Sequence, residues 1–166
     1  MSKRRILAGS LLAFALLVGL AVLSRFSPGR AALYDGMFDA CRDDSLVGAR
    51  IWLLLGASPD GASDYEAGAG HNGFEFSSHV HTAVTHADCG LLRFLLSRGA
   101  SPNLQLGDGT TPLSMAVDEH KVEATRMLLA AGANPRYSDQ WTAVDQAQSL
   151  KFTDLIPIIQ PYLDKK

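Results

Sequence analysis

A six-residue segment that occurs twice, 33 residues apart, constrains the fold of this chain more than any other feature. Leu95-Leu96-Ser97-Arg98-Gly99-Ala100 returns as Leu128-Leu129-Ala130-Ala131-Gly132-Ala133. Self-similarity at a period of this length is typical of stacked repeats, in which each unit buries its apolar side against its neighbours. The chain is therefore expected to fold as a row of similar units.

The unit that ends in the second copy is predicted to be a hairpin followed by two helices. Gly109 fits the tip of the hairpin turn. Thr111 can cap a helix, and Pro112 can occupy its first turn because a missing N–H costs nothing there. Helical spacing resumes from Val122 to Ala131, and Gly132 stands where a left-handed residue commonly ends a helix.

The Thr-Pro-Leu start at 111–113, the leucine pair before Gly-Ala and the 33-residue period together resemble the ankyrin repeat. The resemblance covers residues 31–163 and implies an all-α solenoid of about four helix-turn-helix units with short hairpin loops. The units are placed at 31–59, 60–102, 103–135 and 136–163, before a charged tail at 164–166. His81 stands where the family commonly has a histidine that hydrogen-bonds neighbouring turns.

One spacing departs from the period. Gly56 and Gly99 are 43 residues apart instead of 33, and the excess falls in the Gly-rich polar segment 60–77. Two interpretations stay open, since lengthening a loop costs little free energy and loops also carry function. The segment is either a tolerated insertion or an enlarged hairpin that reaches a partner.

An uncharged apolar segment at 6–23 follows a basic flank at 1–5 and precedes a linker at 24–30. As a helix it would extend roughly 27 Å, which suffices for the hydrocarbon core of a bilayer. A transmembrane or signal-anchor helix is expected; the alternatives are cleavage near Ser24, which would release an exported soluble domain, and a buried soluble helix. The basic flank favours a cytoplasmic N-terminus and a repeat domain outside the cytoplasm, in a periplasm-like compartment.

Composition and motifs give no indication of catalysis. The net charge of −2 supplies no basic field for nucleic acid. The chain holds no G-x-S-x-G, H-E-x-x-H or C-x-x-C pattern and no phosphate-binding loop. We therefore expect a binding module that has no enzymatic activity and needs no cofactor.

A histidine cluster supplies an alternative function. His71, His79, His86 and Cys89 could ligate a metal or contact a heme in an envelope protein. His79 and His81, however, are two residues apart and would point away from each other on a helix. Structural or surface roles are therefore favoured for these histidines.

The chain has two cysteines, Cys41 and Cys89. In an exported domain they could form one disulfide. Otherwise they would be two small buried apolar residues.

Ankyrin stacks bind mostly through hairpin tips and the exposed ends of their inner helices, so the resemblance implies a partner-binding surface by register. At the helix ends this surface comprises Arg42, Asp43, Thr85, His86, Asp118 and Glu119. Along the hairpins it comprises Ser77, Gln105, Asp108, Thr110, Tyr137 and Trp141. Its acidic centre favours a partner that presents a basic segment. Trp141 is either an interface hot spot or a residue packed against the last helix pair.

The layout resembles membrane-anchored or exported bacterial members of the ankyrin family. That resemblance implies an envelope protein that supports or inhibits a partner. The partner would be an exported enzyme, such as a heme enzyme of oxidative-stress defence, or a secreted toxin.

Overall fold

The computed structural model describes residues 30–61, 78–138 and 140–164. These residues form four consecutive helix pairs: α1 Arg30–Arg42 with α2 Leu46–Leu54, α3 His79–Thr85 with α4 Gly90–Ser97, α5 Pro112–Asp118 with α6 Val122–Ala130, and α7 Ala143–Ser149 with α8 Ile156–Leu163. The described backbone contains no strand, although an isolated antiparallel bridge joins Arg136 to Thr142. The predicted all-α class is confirmed for this part of the chain.

The pairs stack into two layers. The first helices form an inner layer in the order α1, α3, α5, α7, while in the outer layer α2 packs on α4 and α8 packs on α6. The core lies between the layers and includes the repeated leucines Leu95 and Leu128, which are fully buried. Burial of such side chains stabilises the stack by about 1.5–3 kcal/mol each, so the 33-residue repetition is what holds the layers together.

The inner helices α3, α5 and α7 begin in the same manner. Ser78, Thr111 and Thr142 each have extended backbone, and each side chain accepts a hydrogen bond from the N–H three residues later. In α5 and α7 the residue at that later position returns a bond to the N–H of the cap. Reciprocal capping of this kind satisfies two N–H groups that a helix start would otherwise leave unbonded. Pro112 occupies the first turn of α5, as predicted.

Short turns with a left-handed residue join the two helices of each pair. The residues are Asp44, Cys89, His120 and Lys151, with φ between 52° and 63°. When the two pairs are aligned on Gly99 and Gly132, Cys89 corresponds to Val122. The left-handed residue of the third pair is His120, so the second pair makes its turn two residues later than the third. There the Asp88 carboxylate accepts a bond of 2.9 Å from the first N–H of α4.

Close approach of α1 and α2 depends on a glycine. A methyl group added at Gly36 would overlap the indole ring of Trp52. Because Gly36 has no side chain, the ring packs directly on the α1 backbone, and Trp52 is thereby part of the first pair's packing.

Side chains in the hairpins bond successive hairpins to each other. The Asp60 carboxylate accepts a hydrogen bond of 2.5 Å from the N–H of Ser101. One repeat later, Asn103 accepts a bond of 2.7 Å from the N–H of Asn134 and donates one of 3.0 Å to the carbonyl oxygen of Gly132. Residues at the same register therefore bond one hairpin to the next at two places in the row.

None of the helices in residues 30–61, 78–138 and 140–164 is long and apolar enough to cross a membrane. The predicted membrane or signal segment at 6–23 lies outside these residues, as do its basic flank and most of the linker. The same holds for most of the inserted segment, at 62–77, and for the last two residues of the tail.

Candidate partner-binding surface

The last two helix pairs place a fixed carboxylate at the exposed edge of the inner layer. Asp118 ends α5, and its Oδ1 accepts a bond of 2.6 Å from the side-chain amide of Gln146 in α7. The same amide donates to the carbonyl oxygen of Ser114 at 3.1 Å. Gln146 is only 8% exposed, whereas Asp118 is exposed. A buried amide therefore orients a solvent-facing carboxylate.

The following hairpin carries two aromatic residues of the predicted surface, Tyr137 and Trp141. The Tyr137 N–H donates to the Trp141 carbonyl oxygen at 3.0 Å, next to the bridge of Arg136 with Thr142. Residues opposed in this way carry their side chains on one face of a hairpin. Burial, followed by the negative charge of Asp118, raises the pKa of Tyr137 above its usual value. The Asp118 charge thus acts on the tyrosine hydroxyl without a hydrogen bond between the two groups.

Trp141 keeps 45% of its surface exposed. Tyr137, by contrast, is half-buried and packs on the hydrophobic core. The hairpin therefore presents the indole to solvent and holds the phenol ring against the stack. Of the two interpretations of Trp141, this geometry favours the interface residue.

Two further predicted residues, Thr85 and Glu119, converge on Lys121. The Lys121 ammonium donates to the carbonyl oxygen of Thr85 at 2.9 Å and lies 3.8 Å from the Glu119 carboxylate. Among the described residues Asp118 forms no ion pair. At this edge Lys121 therefore offsets the negative charge of Glu119, and no ion pair within the described part of the chain offsets the negative charge of Asp118.

At the N-terminal end of the inner layer, Arg42 is occupied by its neighbours. Its guanidinium lies 2.9 Å from Asp39 and 3.5 Å from Asp43, and all three side chains are more than half exposed. Exposed pairs of this kind contribute little stability. Arg42 and Asp43 largely cancel each other's charge, so this end is a weaker candidate for recognition.

His86 has a structural contact. Its Nε2–H donates to the carbonyl oxygen of Cys41 at 2.6 Å, which bonds the second helix pair to the first. His86 is half-buried. The prediction assigned it to the partner surface, and the structure adds this role between units.

The hairpin before α5 contains three predicted residues. Asp108 accepts a bond of 2.8 Å from the Thr110 N–H, and this bond holds the pKa of the carboxyl below its usual value. Gln105 is exposed on the same hairpin. The Thr110 carbonyl oxygen accepts a bond of 3.2 Å from Nε2 of His81, which confirms the role expected for that histidine.

The histidine cluster is only partly within the described residues. His71 lies outside them, and so does Ser77 of the predicted partner surface. His79 is buried beside Gly61, where an added methyl group would come within 2.6 Å of its ring. No group of three or more metal-ligating side chains occurs in 30–61, 78–138 and 140–164. A metal or heme site that uses His71 stays a prediction.

Both cysteines carry free, buried thiols. Burial raises the pKa of Cys41 to about 12, with a further contribution from Asp44. Burial also raises the pKa of Cys89. The observed environment matches that of small buried apolar residues, and the disulfide stays a prediction.

Sequence reasoning missed Gln146 and Ser114. Aligned with Thr111 and Thr142 as helix caps, Gln146 corresponds to Met115 in the preceding unit. The sequence did offer one indication of a role for Gln146: it is polar, whereas Met115 at the same position one repeat earlier is apolar. Its hydrogen bond to Asp118, however, depends on how α5 and α7 pack.

Comparison with known proteins agrees with this geometry. The family model described as "Ankyrin repeats (3 copies)" matches residues 80–161. Protein PhlB of Serratia liquefaciens is 37% identical over 103 residues, which are 60% of this chain and 45% of that protein. The potassium channel GORK of Arabidopsis thaliana is 33% identical over 81 residues, which are 48% of this chain and 10% of the channel.

A putative ankyrin repeat protein of Rickettsia felis is 29% identical over 65 residues, or 39% of this chain and 24% of that protein. The chain thus spans less than half the length of each of these relatives. Ankyrin repeat domains are generally non-catalytic interaction modules. The stacked helix pairs, the capped inner helices and the match over 80–161 together support the ankyrin repeat family for this chain.

Proposed function

We propose that this chain is a non-catalytic recognition module, tethered at a membrane, that binds a basic segment of a protein partner. Binding takes place at the edge of the inner layer formed by Asp118, Gln146, Tyr137 and Trp141, which we call the 118–146 edge. The exposed Asp118 carboxylate, which the buried Gln146 amide orients, carries the proposal.

The Asp118 carboxylate is the exposed acceptor of the 118–146 edge. The Gln146 amide N–H groups are directed to Ser114 and Asp118, while its buried Oε1 has no hydrogen-bond partner among the described residues. The buried Tyr137 hydroxyl lacks one as well. Those two oxygens are buried, so a lysine or arginine side chain of the partner, which has donors and no acceptors, would pair with the exposed Asp118 carboxylate.

Trp141 supplies the apolar part of the edge. An exposed indole can pack on the methylene groups of a basic side chain, and its face attracts the cation. Aromatic residues of this kind contribute a large share of the affinity of many interfaces. The combination favours arginine or lysine flanked by apolar residues in the partner.

The tether and its side of the membrane rest on the sequence. The apolar segment at 6–23 and the basic flank before it support an anchor with the repeat domain outside the cytoplasm. A partner at that site would be an exported enzyme that the chain supports or protects, or a secreted toxin that it inhibits.

The test is capture of the partner by the full chain, isolated gently from its native membranes. Asp118→Asn and Trp141→Ala are compared with two exposed controls away from the edge, Glu123→Gln and Leu150→Ala. We expect a stoichiometric partner that is lost from the first two variants, kept by the controls, and released as salt screens the charges.

Melting temperatures show whether each variant is folded. Equal capture by all four variants, with melting unchanged, would refute the 118–146 edge as the binding site. A chain that leaves the membrane in high salt and alkali would refute the tether and leave the edge standing.

A further inference from the structure

An apolar stripe runs along the exposed side of α2. Val47 is 68% exposed, Ile51 51% and Leu54 85%. Positions i, i+4 and i+7 lie on one side of a helix, so the three side chains form a continuous stripe. Apolar residues exposed together in this way mark a contact surface more often than single ones do.

Arginines lie on the side of the stripe that faces α4. The guanidinium groups of Arg50 in α2 and Arg98 after α4 both lie over the Phe94 ring, at 5.6 and 5.0 Å from its centre. Arg93 is exposed on α4, and its guanidinium lies 3.9 Å from the Glu123 carboxylate. We call Val47, Arg50, Ile51, Leu54, Arg93 and Arg98 the outer face.

Charge is divided between the two layers. Within the outer helices the charged residues are Arg50, Arg93, Glu123 and Arg126. Within the inner helices, among the residues whose side chains the structure describes, they are Asp35, Asp39, Arg42, Asp118 and Asp145. The outer layer is therefore net positive and the inner layer net negative, which suits an anionic surface on one side and a basic partner on the other.

The proposed tether would keep the outer face near a bilayer. Six residues, 24–29, separate the apolar segment 6–23 from α1. A chain of six residues reaches at most roughly 20 Å, less than the length of a helix that crosses a bilayer. With segment 6–23 as the anchor, the first helix pair, which carries the stripe, lies next to the membrane surface.

We propose that the outer face binds an anionic phospholipid surface, an inference that rests on the proposed membrane tether. Val47, Ile51 and Leu54 enter the boundary between headgroups and acyl chains, and Arg50 and Arg98 pair with lipid phosphates. Three apolar side chains bind a bilayer weakly by themselves, so the tether supplies the local concentration. In this orientation the 118–146 edge is directed away from the membrane.

A fluorescent label at the stripe tests the proposal in the full chain. Leu54→Cys carries a polarity-sensitive fluorophore, and Gln148→Cys on the exposed side of α7 is the matched control. The native thiols are buried, so labelled wild type measures any background. Both proteins are reconstituted into phosphatidylcholine vesicles with or without phosphatidylglycerol.

We expect blue-shifted emission and a several-fold loss of iodide quenching at position 54, only with phosphatidylglycerol and only at low salt. Position 148 stays accessible. Arg50→Gln combined with Arg98→Gln reduces the shift, whereas Lys151→Gln, at an exposed turn, leaves it unchanged.

Equal quenching at positions 54 and 148 in anionic vesicles would overturn the proposal. A blue shift that depends on the number of protein molecules per vesicle and not on lipid charge would also overturn it, because a second copy of the chain would then cover the stripe. If the chain separates from vesicles at high salt yet shows the shift at low salt, the tether fails and the lipid contact stands. If the label at position 54 shows no blue shift while the partner is still captured, the lipid contact is refuted and the proposed partner binding is not.

Discussion

Nε2 of His81 donates a hydrogen bond of 3.2 Å to the carbonyl oxygen of Thr110, 29 residues further along the chain. The other ring nitrogen, Nδ1, lies 2.7 Å from the hydroxyl of Ser78, which caps the same helix. One neutral imidazole thus joins the start of α3 to the hairpin of the next unit. Protonation would place a proton on Nδ1, where the ring now accepts the Ser78 hydroxyl.

Stability should fall as pH drops through the range where free histidine titrates. Burial lowers the pKa of His81 below its usual value, against smaller opposing effects of the Thr110 bond and Asp108. The unfolded chain therefore binds a proton near pH 6.5 that the folded chain takes up only at lower pH, so stability is full above that value and lost below it.

Thermal melts between pH 7 and pH 5 check this, with His81→Gln as the comparison. The variant should be less stable at pH 7 by about 1–3 kcal/mol, because buried partners lose their bonds, and its melting should depend less on pH. Parallel pH curves for wild type and variant would contradict the assignment to His81.

Gly36→Ala should destabilise the first helix pair. The added methyl group overlaps the Trp52 ring, and overpacking of this kind costs about 1–3 kcal/mol. Chemical denaturation with tryptophan fluorescence measures it. Gly90→Ala is the control, because its methyl group meets no atom closer than 3.4 Å at the start of α4. A Gly36→Ala protein as stable as the control would show that the helices separate at little cost.

Tyr137→Phe should leave both stability and binding nearly unchanged. The hydroxyl is buried without a hydrogen-bond partner among the described residues, so its removal should leave the free energy of unfolding unchanged within about 1 kcal/mol or raise it. Partner capture should stay close to that of wild type, because a partner cannot reach a buried hydroxyl. Denaturation and capture are measured on the same preparation; a marked loss of capture at unchanged stability would contradict this and show that the partner contacts the hydroxyl.

Both cysteines should resist alkylation in the folded chain at pH 8. Their thiols are buried, and the pKa of Cys41 is raised to about 12, so the reactive thiolate is scarce. Mass spectrometry before and after unfolding without reductant counts the modified thiols. Two modifications on unfolding are expected from the free thiols of the structure; none would reveal a disulfide between Cys41 and Cys89.

Local rules predicted much of the fold. Thr111 and Pro112 start α5 where expected, and Gly132 follows α6 in a left-handed conformation, because caps and glycines act within a few residues. The position of the turn at Cys89 was not predictable from the period, which places the left-handed residue two positions earlier. The hydrogen bond of Gln146 to Asp118 depends on packing between two units, so no local pattern could reveal it.

The twofold use of the Asn103 side chain determines how the stack can come apart. Because it bonds both Gly132 and Asn134, it clamps the segment just after α6 to the hairpin that precedes α5. Separation of these two hairpins breaks both bonds at once, whereas an outermost helix can fray with its neighbour intact. Amide exchange should accordingly be slowest in the middle of the row and quicken toward its two ends.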